Sequence, residues 1–268
     1  YTTDQVLAQN DIEFATSDDL YYTHTEHNLG NLLADSFAYA AAQADDPDTH
    51  PIDVAIVPSG CVRDTFATGD VTVTDVFNAY SLGIGPDGIP GYPLISMYLT
   101  GAELKTGAEI DASVSDFMKS DKLYRVVCDL YSGQMLGAVT DVSYGILSVQ
   151  PKFADGTPIE DIEDAILTDG GRELKAWAAI AGYLDSLEDA DGDGVSDIPE
   201  AYASAQGRKV VEDSRSIGDL VKNPNKFAFI ILGILLLLLV LIVLLFWLII
   251  RLVRRLTRRN HATAGSCR

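Results

Sequence analysis

One uncharged apolar segment, residues 227–250, constrains the fold of this chain more than any other feature. Its 24 residues carry no charged side chain. A helix of that length is about 36 Å long, which is enough to cross the hydrocarbon layer of a bilayer with some tilt. Arginines follow it at once, at positions 251, 254, 255, 258 and 259, whereas only Lys222 and Lys226 stand close before it. The sequence therefore predicts a single transmembrane helix and a basic cytoplasmic tail, residues 251–268.

The charge distribution divides the chain into an acidic part and a basic end. All 39 acidic residues precede Phe227, whereas six of the 19 basic residues follow it. An acidic surface lacks the cations that nucleic-acid phosphates require, so we expect no nucleic-acid partner. The acidic composition is also consistent with a saline environment or with calcium binding. We expect a protein of the cell membrane whose partner is the lipid bilayer, with its N-terminal domain extracellular.

The cysteines and histidines exclude several kinds of site. Cys267 lies in the basic tail, so Cys61 and Cys128 are the one pair of cysteines in the acidic part. They are expected either to form a disulfide or to be two buried free thiols. The sequence contains neither the HExxH pattern nor zinc-ligand spacing, and it has no Gly-x-Ser-x-Gly elbow. The histidines are His24, His27, His50 and His261.

Periodicity between residues 23 and 187 predicts helices and strands in an order typical of an α/β or an α+β domain. We expect Thr74 to cap a helix that begins at Asp75. Tyr131, Met135 and Tyr144 are expected to be core side chains. The predicted elements are a helix over 28–43, strands over 52–57, 71–73, 95–99 and 123–129, a helix that opens at Thr100, and a helix over 172–187.

A small-residue turn at Ser59 and Gly60 follows the first predicted strand and precedes Arg63. The planar guanidinium of arginine makes paired hydrogen bonds to phosphate or carboxylate, so the turn is a candidate anion site. The alternative is a tight turn in which Arg63 pairs with a surface acid.

Four short motifs occur in one order: Glu26-x-Asn-Leu-Gly, Ser59-Gly-Cys-Val-Arg, Gly69-Asp-Val-Thr and Leu99-Thr-Gly-Ala-Glu-Leu. Together they resemble the C-terminal, substrate-binding domain of the 5′-nucleotidase family of metallophosphoesterases, over about residues 20–185. The resemblance implies an α+β domain with a mixed sheet and packed helices that holds the nucleoside. It also implies a separate N-terminal metallophosphoesterase domain, upstream of Tyr1, that binds two divalent metal ions and performs the hydrolysis.

The resemblance also implies particular residues. Arg63 matches the motif arginine that contacts the ribose-phosphate part of the substrate. The other implied substrate-binding residues are Asn28, Ser59, Gly60, Leu82 and Gly83. The motif asparagine is replaced by Pro58, and Leu82 stands where a phenylalanine stacks on the base; a leucine covers a base without stacking. The substrate is expected to be a nucleotide or a related phosphoester, such as a sugar phosphate or cyclic nucleotide.

The segment from Asp189 to Glu200 has the spacing of a calcium loop. Carboxylates occupy positions 1, 3, 5, 9 and 12, Gly194 occupies position 6, and a main-chain carbonyl is available at position 7. The predicted Ca²⁺ ligands are Asp189, Asp191, Asp193, Val195, Asp197 and Glu200. An acidic solvated turn is the alternative. Pro199 at position 11 favours an isolated loop over a complete EF-hand.

These observations divide the chain into six parts: an unassigned segment 1–22, the 5′-nucleotidase-like domain 23–187, the acidic loop region 188–206, a tether 207–226, the helix 227–250 and the tail 251–268. One hypothesis is the substrate-binding half of a membrane-anchored extracellular phosphohydrolase that serves nucleotide catabolism, without catalytic activity of its own. The other is a calcium-stiffened cell-surface binding or adhesion module with a decayed nucleotide pocket.

Overall fold

The structure, a computed structural model, describes residues 1–23, 25–105, 119, 121–142, 148–209 and 226–264. Residues 210–225 of the predicted tether, Tyr144 and His24 lie outside this described part. The chain divides into two units, Tyr1–Glu212 and Asp213–Arg268.

Residues near the N-terminus build the first sheet of the larger unit. Strand β1 (Val6–Asn10) runs antiparallel to β3 (Gly69–Thr72) and parallel to β8 (Ser196–Asp197). A capping box at Thr16 then starts the short helix α1 (Ser17–Tyr22). The segment 1–22, for which no structure was predicted, therefore supplies a central strand and a helix.

The central strand of the second sheet is β5 (Leu123–Asp129), which is buried along nearly its whole length. It pairs parallel with β2 (Val54–Ala55) and antiparallel with β4 (Leu94–Thr100). The strand predicted over 52–57 is thus reduced to two residues. A separate hairpin joins β6 (Thr168–Asp169) to β7 (Arg172–Glu173).

Helices cover these sheets with apolar side chains at helical spacing. Helix α2 (Asn28–Gln43) buries Leu29, Leu32, Leu33 and Phe37, as its periodicity predicted. The other helices are α3 (Val73–Ala79), α4 (Leu130–Val142) and α5 (Ala176–Asp185), and a further helix begins at Gly101.

The start of α3 differs from its prediction. Thr72, and not Thr74, caps the helix, because the Thr72 hydroxyl and the Asp75 carboxylate bond each other's main-chain N–H groups. The Thr74 hydroxyl instead donates to the carbonyl of Thr3 at 2.7 Å. The capping box satisfies two otherwise free donors, and it places the helix two residues earlier.

A buried arginine ties the loop after α2 to β5. Arg125 is 2% exposed. Its guanidinium donates to Asp46 Oδ2 at 2.7 Å and to the carbonyl of Asp48 at 2.9 Å, while its Nε donates to Ser96 at 2.9 Å. The Asp48 carboxylate in turn accepts the hydroxyl of Tyr98. A buried cation requires such compensation, so this network closes one end of the second sheet.

The chain beyond α5 returns to α2. The Glu26 carboxylate accepts hydrogen bonds from the main-chain N–H groups of Gln206, Gly207 and Arg208. The Arg208 guanidinium also forms a two-pronged ion pair with Asp35. Charge-assisted bonds of this kind are strong, so residues 206–208 are held just before the start of α2, by Glu26, and at the middle of α2, by Asp35.

The second unit contains one long helix, α6 (Lys226–Ala264). Within Phe229–Arg254, an 18-residue window has a mean hydropathy of 3.7, and none of that window is buried. By length and composition this helix could cross a membrane. The helix continues through most of the predicted tail.

Candidate functional site

The turn that precedes Arg63 is a short 3₁₀ helix that begins four residues after the end of β2. Residues Ser59–Cys61 form this helix, and the N–H of Cys61 donates to the carbonyl of Pro58 at 2.9 Å. The N–H of Arg63 donates to the carbonyl of Ala79 at 2.9 Å. The Arg63 side chain is exposed, and within the described part of the chain its guanidinium makes no ion pair. Main-chain bonds hold the turn, and the cation faces solvent.

Gly60 leaves open space on this turn. A Cβ built on Gly60 meets no atom within 4 Å, and its φ lies outside the left-handed region. The fold therefore does not require glycine here. An exposed main chain without a side chain, three residues before an arginine, gives a ligand close access to the backbone.

Asp129 joins the turn to two helices. It ends β5 and caps α4: its Oδ1 accepts the N–H of Ser132 at 2.7 Å, and its Oδ2 accepts the hydroxyl of Tyr80 at 2.7 Å. Burial, followed by the negative charge of Asp129, raises the pKa of the Cys61 thiol. Cys61 and Cys128 are both buried free thiols, so the bridge left open by the sequence is not formed.

Two tyrosines form an aromatic surface beside the loop 81–91. The rings of Tyr92 and Tyr131 stack with centroids 5.9 Å apart and an interplanar angle of 27°. The N–H of Tyr92 donates to the carbonyl of Leu82 at 2.9 Å. Gly83 has φ +77°, and a Cβ there would lie 2.1 Å from the Tyr92 ring. Gly83 is therefore required for the close approach of Tyr92.

The prediction that Tyr131 and Met135 are core side chains is wrong. Tyr131 is 38% exposed and Met135 is 43% exposed. Helix α4 instead turns Leu130 and Gly133 toward the sheet, where a Cβ on Gly133 would lie 2.4 Å from Ile95. Tyr131 and Met135 consequently lie on the outer face of α4. The glycine at 133 was the available sequence signal that this face, and not the tyrosine face, approaches the sheet.

Asn28 lies at the start of α2, and its side chain has main-chain partners. Its amide donates to the carbonyl of Glu13 at 3.0 Å, and its Oδ1 accepts the N–H of Ala15 at 2.9 Å. The Thr65 hydroxyl donates to the carbonyl of Ala15 at 2.8 Å. Asn28 thereby links α2 to the segment after Arg63, and its contact with a substrate stays a prediction.

The acidic loop brings part of its predicted set together. Asp189, Asp191 and Asp197 each offer one oxygen, and these oxygens lie within 4.8 Å of one another. Asp193 has other partners: its Oδ2 accepts the amide of Gln9 at 2.7 Å. Glu200 begins a 3₁₀ turn and lines the same cleft as Asp191 and Asp197. The carbonyl of Val195 remains a predicted ligand.

The comparisons with known proteins bear on the larger unit. The family model of the 5′-nucleotidase C-terminal domain matches residues 8–175. A solved structure of a 5′-nucleotidase precursor from Thermus thermophilus is similar, with 16% identity and a TM-score of 0.46; the match covers 72% of this chain and 39% of that one. No curated protein matches. The chain thus spans well under half of that protein's length.

The family match covers more than half of the chain and contains all four motifs, from Glu26 to Leu104. The mixed sheets and packed helices agree with the α+β fold that the resemblance implied. The chain belongs to the family of 5′-nucleotidase C-terminal domains.

Proposed function

We propose that this chain is the substrate-binding part of a membrane-anchored phosphohydrolase of the 5′-nucleotidase type, which acts on nucleotides or related phosphoesters outside the cell. The observation that carries the proposal is the exposed Arg63 guanidinium, free of ion pairs within the described residues, directly after the open turn at Ser59 and Gly60.

Electrostatics makes Arg63 the critical residue of this proposal. All 39 acids of the chain precede the apolar helix, so the surface of the larger unit repels an anionic ligand. An anion can be held only where a local cation outweighs that repulsion. An arginine without a carboxylate partner keeps both prongs of its guanidinium available for a phosphate.

The aromatic surface supplies the second half of the proposed site. The main-chain bond from Arg63 to Ala79 places the turn beside the end of α3, and Leu82 and Gly83 follow that helix end directly. Tyr92 covers Gly83, and Tyr131 stacks on Tyr92 with part of its ring exposed. A planar base can stack on such a ring. We infer that Arg63 contacts the phosphate side of the ligand and that Tyr131 contacts its ring side.

In this proposal a different domain performs the hydrolysis. The side chains named here can bind and orient a phosphoester, and Arg63 can stabilise negative charge. The metal ions that activate water in such hydrolysis would be held by a separate N-terminal domain, as the family resemblance implies. We therefore expect the present chain to bind substrate without hydrolysing it.

Calorimetric titration of the full chain in detergent micelles tests the phosphate contact. Adenosine monophosphate and glucose phosphate serve as ligands. Loss of a charged hydrogen bond should weaken binding by about tenfold or more in Arg63→Ala, with partial rescue in Arg63→Lys. Arg172→Ala, which removes an exposed arginine from β7, is the matched control. An absence of binding by the wild type, or equal binding by Arg63→Ala, would refute the proposal.

The aromatic contact has its own test. Tyr131→Ala should weaken binding of adenosine monophosphate by about tenfold, since base stacking on an aromatic ring contributes about 1–3 kcal/mol. Binding of ribose phosphate should change little, because that ligand has no base. Equal losses for both ligands would show that Tyr131 acts through the fold and not through stacking.

A second candidate function is a calcium-stiffened cell-surface binding module. The observation that favours it is the convergence of Asp189, Asp191 and Asp197 within 4.8 Å. Carboxylates this close repel one another unless a cation or a proton intervenes, and Ca²⁺ prefers oxygen ligands. This function predicts a melting temperature of the full chain that rises with Ca²⁺ and falls with chelator. It also predicts that Asp191→Asn removes the response while Asp70→Asn, at an exposed acid on β3, keeps it.

The membrane anchor is part of the first proposal. It is supported by the length and hydropathy of α6 and by the arginines that follow its apolar stretch. Resistance of the full chain to alkaline extraction from membranes would support insertion. Labelling of Cys267 by a membrane-impermeant reagent only after cell lysis would support a cytoplasmic tail, whereas labelling of intact cells would contradict it.

A further inference from the structure

Arginine positions beyond the apolar stretch share one face of α6. The helix continues without interruption to Ala264, so successive positions advance by about 100° per residue. Spacings of three and four residues return to the same side of a helix. All five arginine positions of this segment fall within an arc of about 140°; they are Arg251, Arg254, Arg255, Arg258 and Arg259.

The arc outside the arginines carries no charged residue between positions 251 and 260. It holds the positions of Val253, Leu256, Thr257 and Asn260, with Leu252 at its edge, and Leu252 and Val253 are 60% and 55% exposed. Arginines grouped on one side of a helix next to a membrane span can approach lipid headgroups together. Here the arginine face begins where the apolar span ends, on the same continuous helix.

A direct contact marks the junction. The guanidinium carbon of Arg251 lies 5.0 Å from the centre of the Trp247 ring, a cation–π arrangement. Tryptophan is favoured at the level of lipid headgroups. Because Arg251 is one turn further along, the arginine face starts at the depth where phosphates are found.

We propose that this arginine face, residues 251–259, binds the phosphates of anionic phospholipids in the leaflet from which α6 emerges. The proposal rests on the membrane anchor proposed above. Charge complementarity selects the occupant: the sequence after Phe227 contains six arginines and no acid, so no carboxylate of this segment competes for the guanidinium groups. Arginine forks bind phosphate oxygens in pairs, and basic clusters next to a membrane span attract anionic lipid.

Trp247 provides a built-in reporter for the test. The full chain carries two tryptophans, and Trp177→Phe leaves Trp247 as the single tryptophan in every variant. The protein is reconstituted into vesicles of phosphatidylcholine mixed with phosphatidylglycerol, and either lipid is supplied with brominated chains, which quench nearby tryptophan. The ratio of the two quenching efficiencies measures which lipid occupies the sites next to Trp247.

The wild-type face should favour phosphatidylglycerol by about tenfold over a random mixture, and this preference should fall with salt. Equal quenching by the two lipids would overturn the arginine-face proposal while leaving the anchor intact. Absence of quenching by either lipid would mean that α6 does not insert, which would overturn the anchor as well.

Two variants distinguish an effect of the arginine face on lipid preference from an effect of net charge alone. Arg251→Gln with Arg254→Gln and Arg255→Gln should reduce the preference to near that of neutral sites. The matched control keeps composition and charge: Arg255→Leu with Leu256→Arg, and Arg259→Asn with Asn260→Arg, move two arginines by about 100° around the helix. A clear loss of preference in this control supports the face, whereas full retention would show that only net charge matters and would overturn the proposal.

Discussion

Tyr80 and Asp129 are both buried and are joined by a 2.7 Å hydrogen bond from the tyrosine hydroxyl to the carboxylate. Tyr80 lies at the end of α3 and Asp129 at the start of α4. The bond therefore connects the helix end that bonds the Arg63 turn to the helix that carries Tyr131. Burial and the charge of Asp129 raise the pKa of Tyr80, so the hydroxyl keeps its proton and stays the donor at physiological pH.

Tyr80→Phe should lower the free energy of unfolding by about 1–3 kcal/mol, because a buried carboxylate loses one of its donors. Urea unfolding of the full chain in detergent, followed by near-ultraviolet circular dichroism, measures the change. Tyr22→Phe, at a ring that is 75% exposed, is the control and should be neutral. An unchanged midpoint in Tyr80→Phe would contradict the structural role of the bond.

Alanine substitutions should distinguish a glycine that the fold requires from a glycine that lies beside the proposed ligand. Gly91 has φ +94° and its Cβ would lie 2.6 Å from the Trp177 ring, so Gly91→Ala should cost about 1–3 kcal/mol of stability. Gly60→Ala should leave stability unchanged and weaken phosphoester binding, because its methyl fills the open space beside the Arg63 turn. Thermal melts and titrations of both variants test this. Equal ligand affinity in Gly60→Ala and the wild type would remove the turn from the proposed site.

The loop after α2 should show a defined pH dependence through Asp48. Burial alone would raise the pKa of Asp48, but hydrogen bonds from the Tyr98 hydroxyl and from His50 outweigh burial and lower this pKa to about 2. A lowered carboxyl pKa contributes stability above the unfolded value of about 3.9, and that contribution is lost as the pH falls toward 2.

The matching measurement compares the wild type with Asp48→Asn. The wild type should be more stable near neutral pH, and the difference in unfolding free energy should shrink between about pH 4 and pH 2. Asp18→Asn, at an exposed acid of α1, should show no such convergence. A difference between wild type and Asp48→Asn that stays constant over this range would contradict the assigned pKa.

Glu26→Gln should release residues 206–208, where the predicted tether begins. The carboxylate accepts three main-chain N–H groups and the amide of Asn31 at 2.7 Å, and these bonds lower the pKa of Glu26 against the effect of burial. Hydrogen exchange of residues 206–208 should accelerate by about tenfold in Glu26→Gln. Glu160→Gln, at an exposed position, is the control. Unchanged exchange in Glu26→Gln would show that Arg208 and Asp35 suffice to hold the segment.

Local rules allowed a large part of this fold to be predicted. The periodicity of α2 and the run over β5 predicted those elements, because a continuous apolar face needs no knowledge of its partner. The capping residue of α3 could not be predicted from local chemistry alone. Thr72 and Thr74 are both suitable caps, but Thr72 caps the helix while the Thr74 hydroxyl bonds the carbonyl of Thr3, a residue distant in sequence.

The sequence by itself determined the family, the α+β class and one helix apolar enough to cross a membrane, since motif order and hydropathy are properties of the chain alone. Tertiary structure decided the orientation of Tyr131, the pairing of Glu26 with residues 206–208, and which acids of the loop 189–200 meet. Each of these depends on contacts between residues distant in sequence. Gly133 is the local signal for the inner face of α4, but its close approach to Ile95, a residue distant in sequence, is what turns Tyr131 toward solvent.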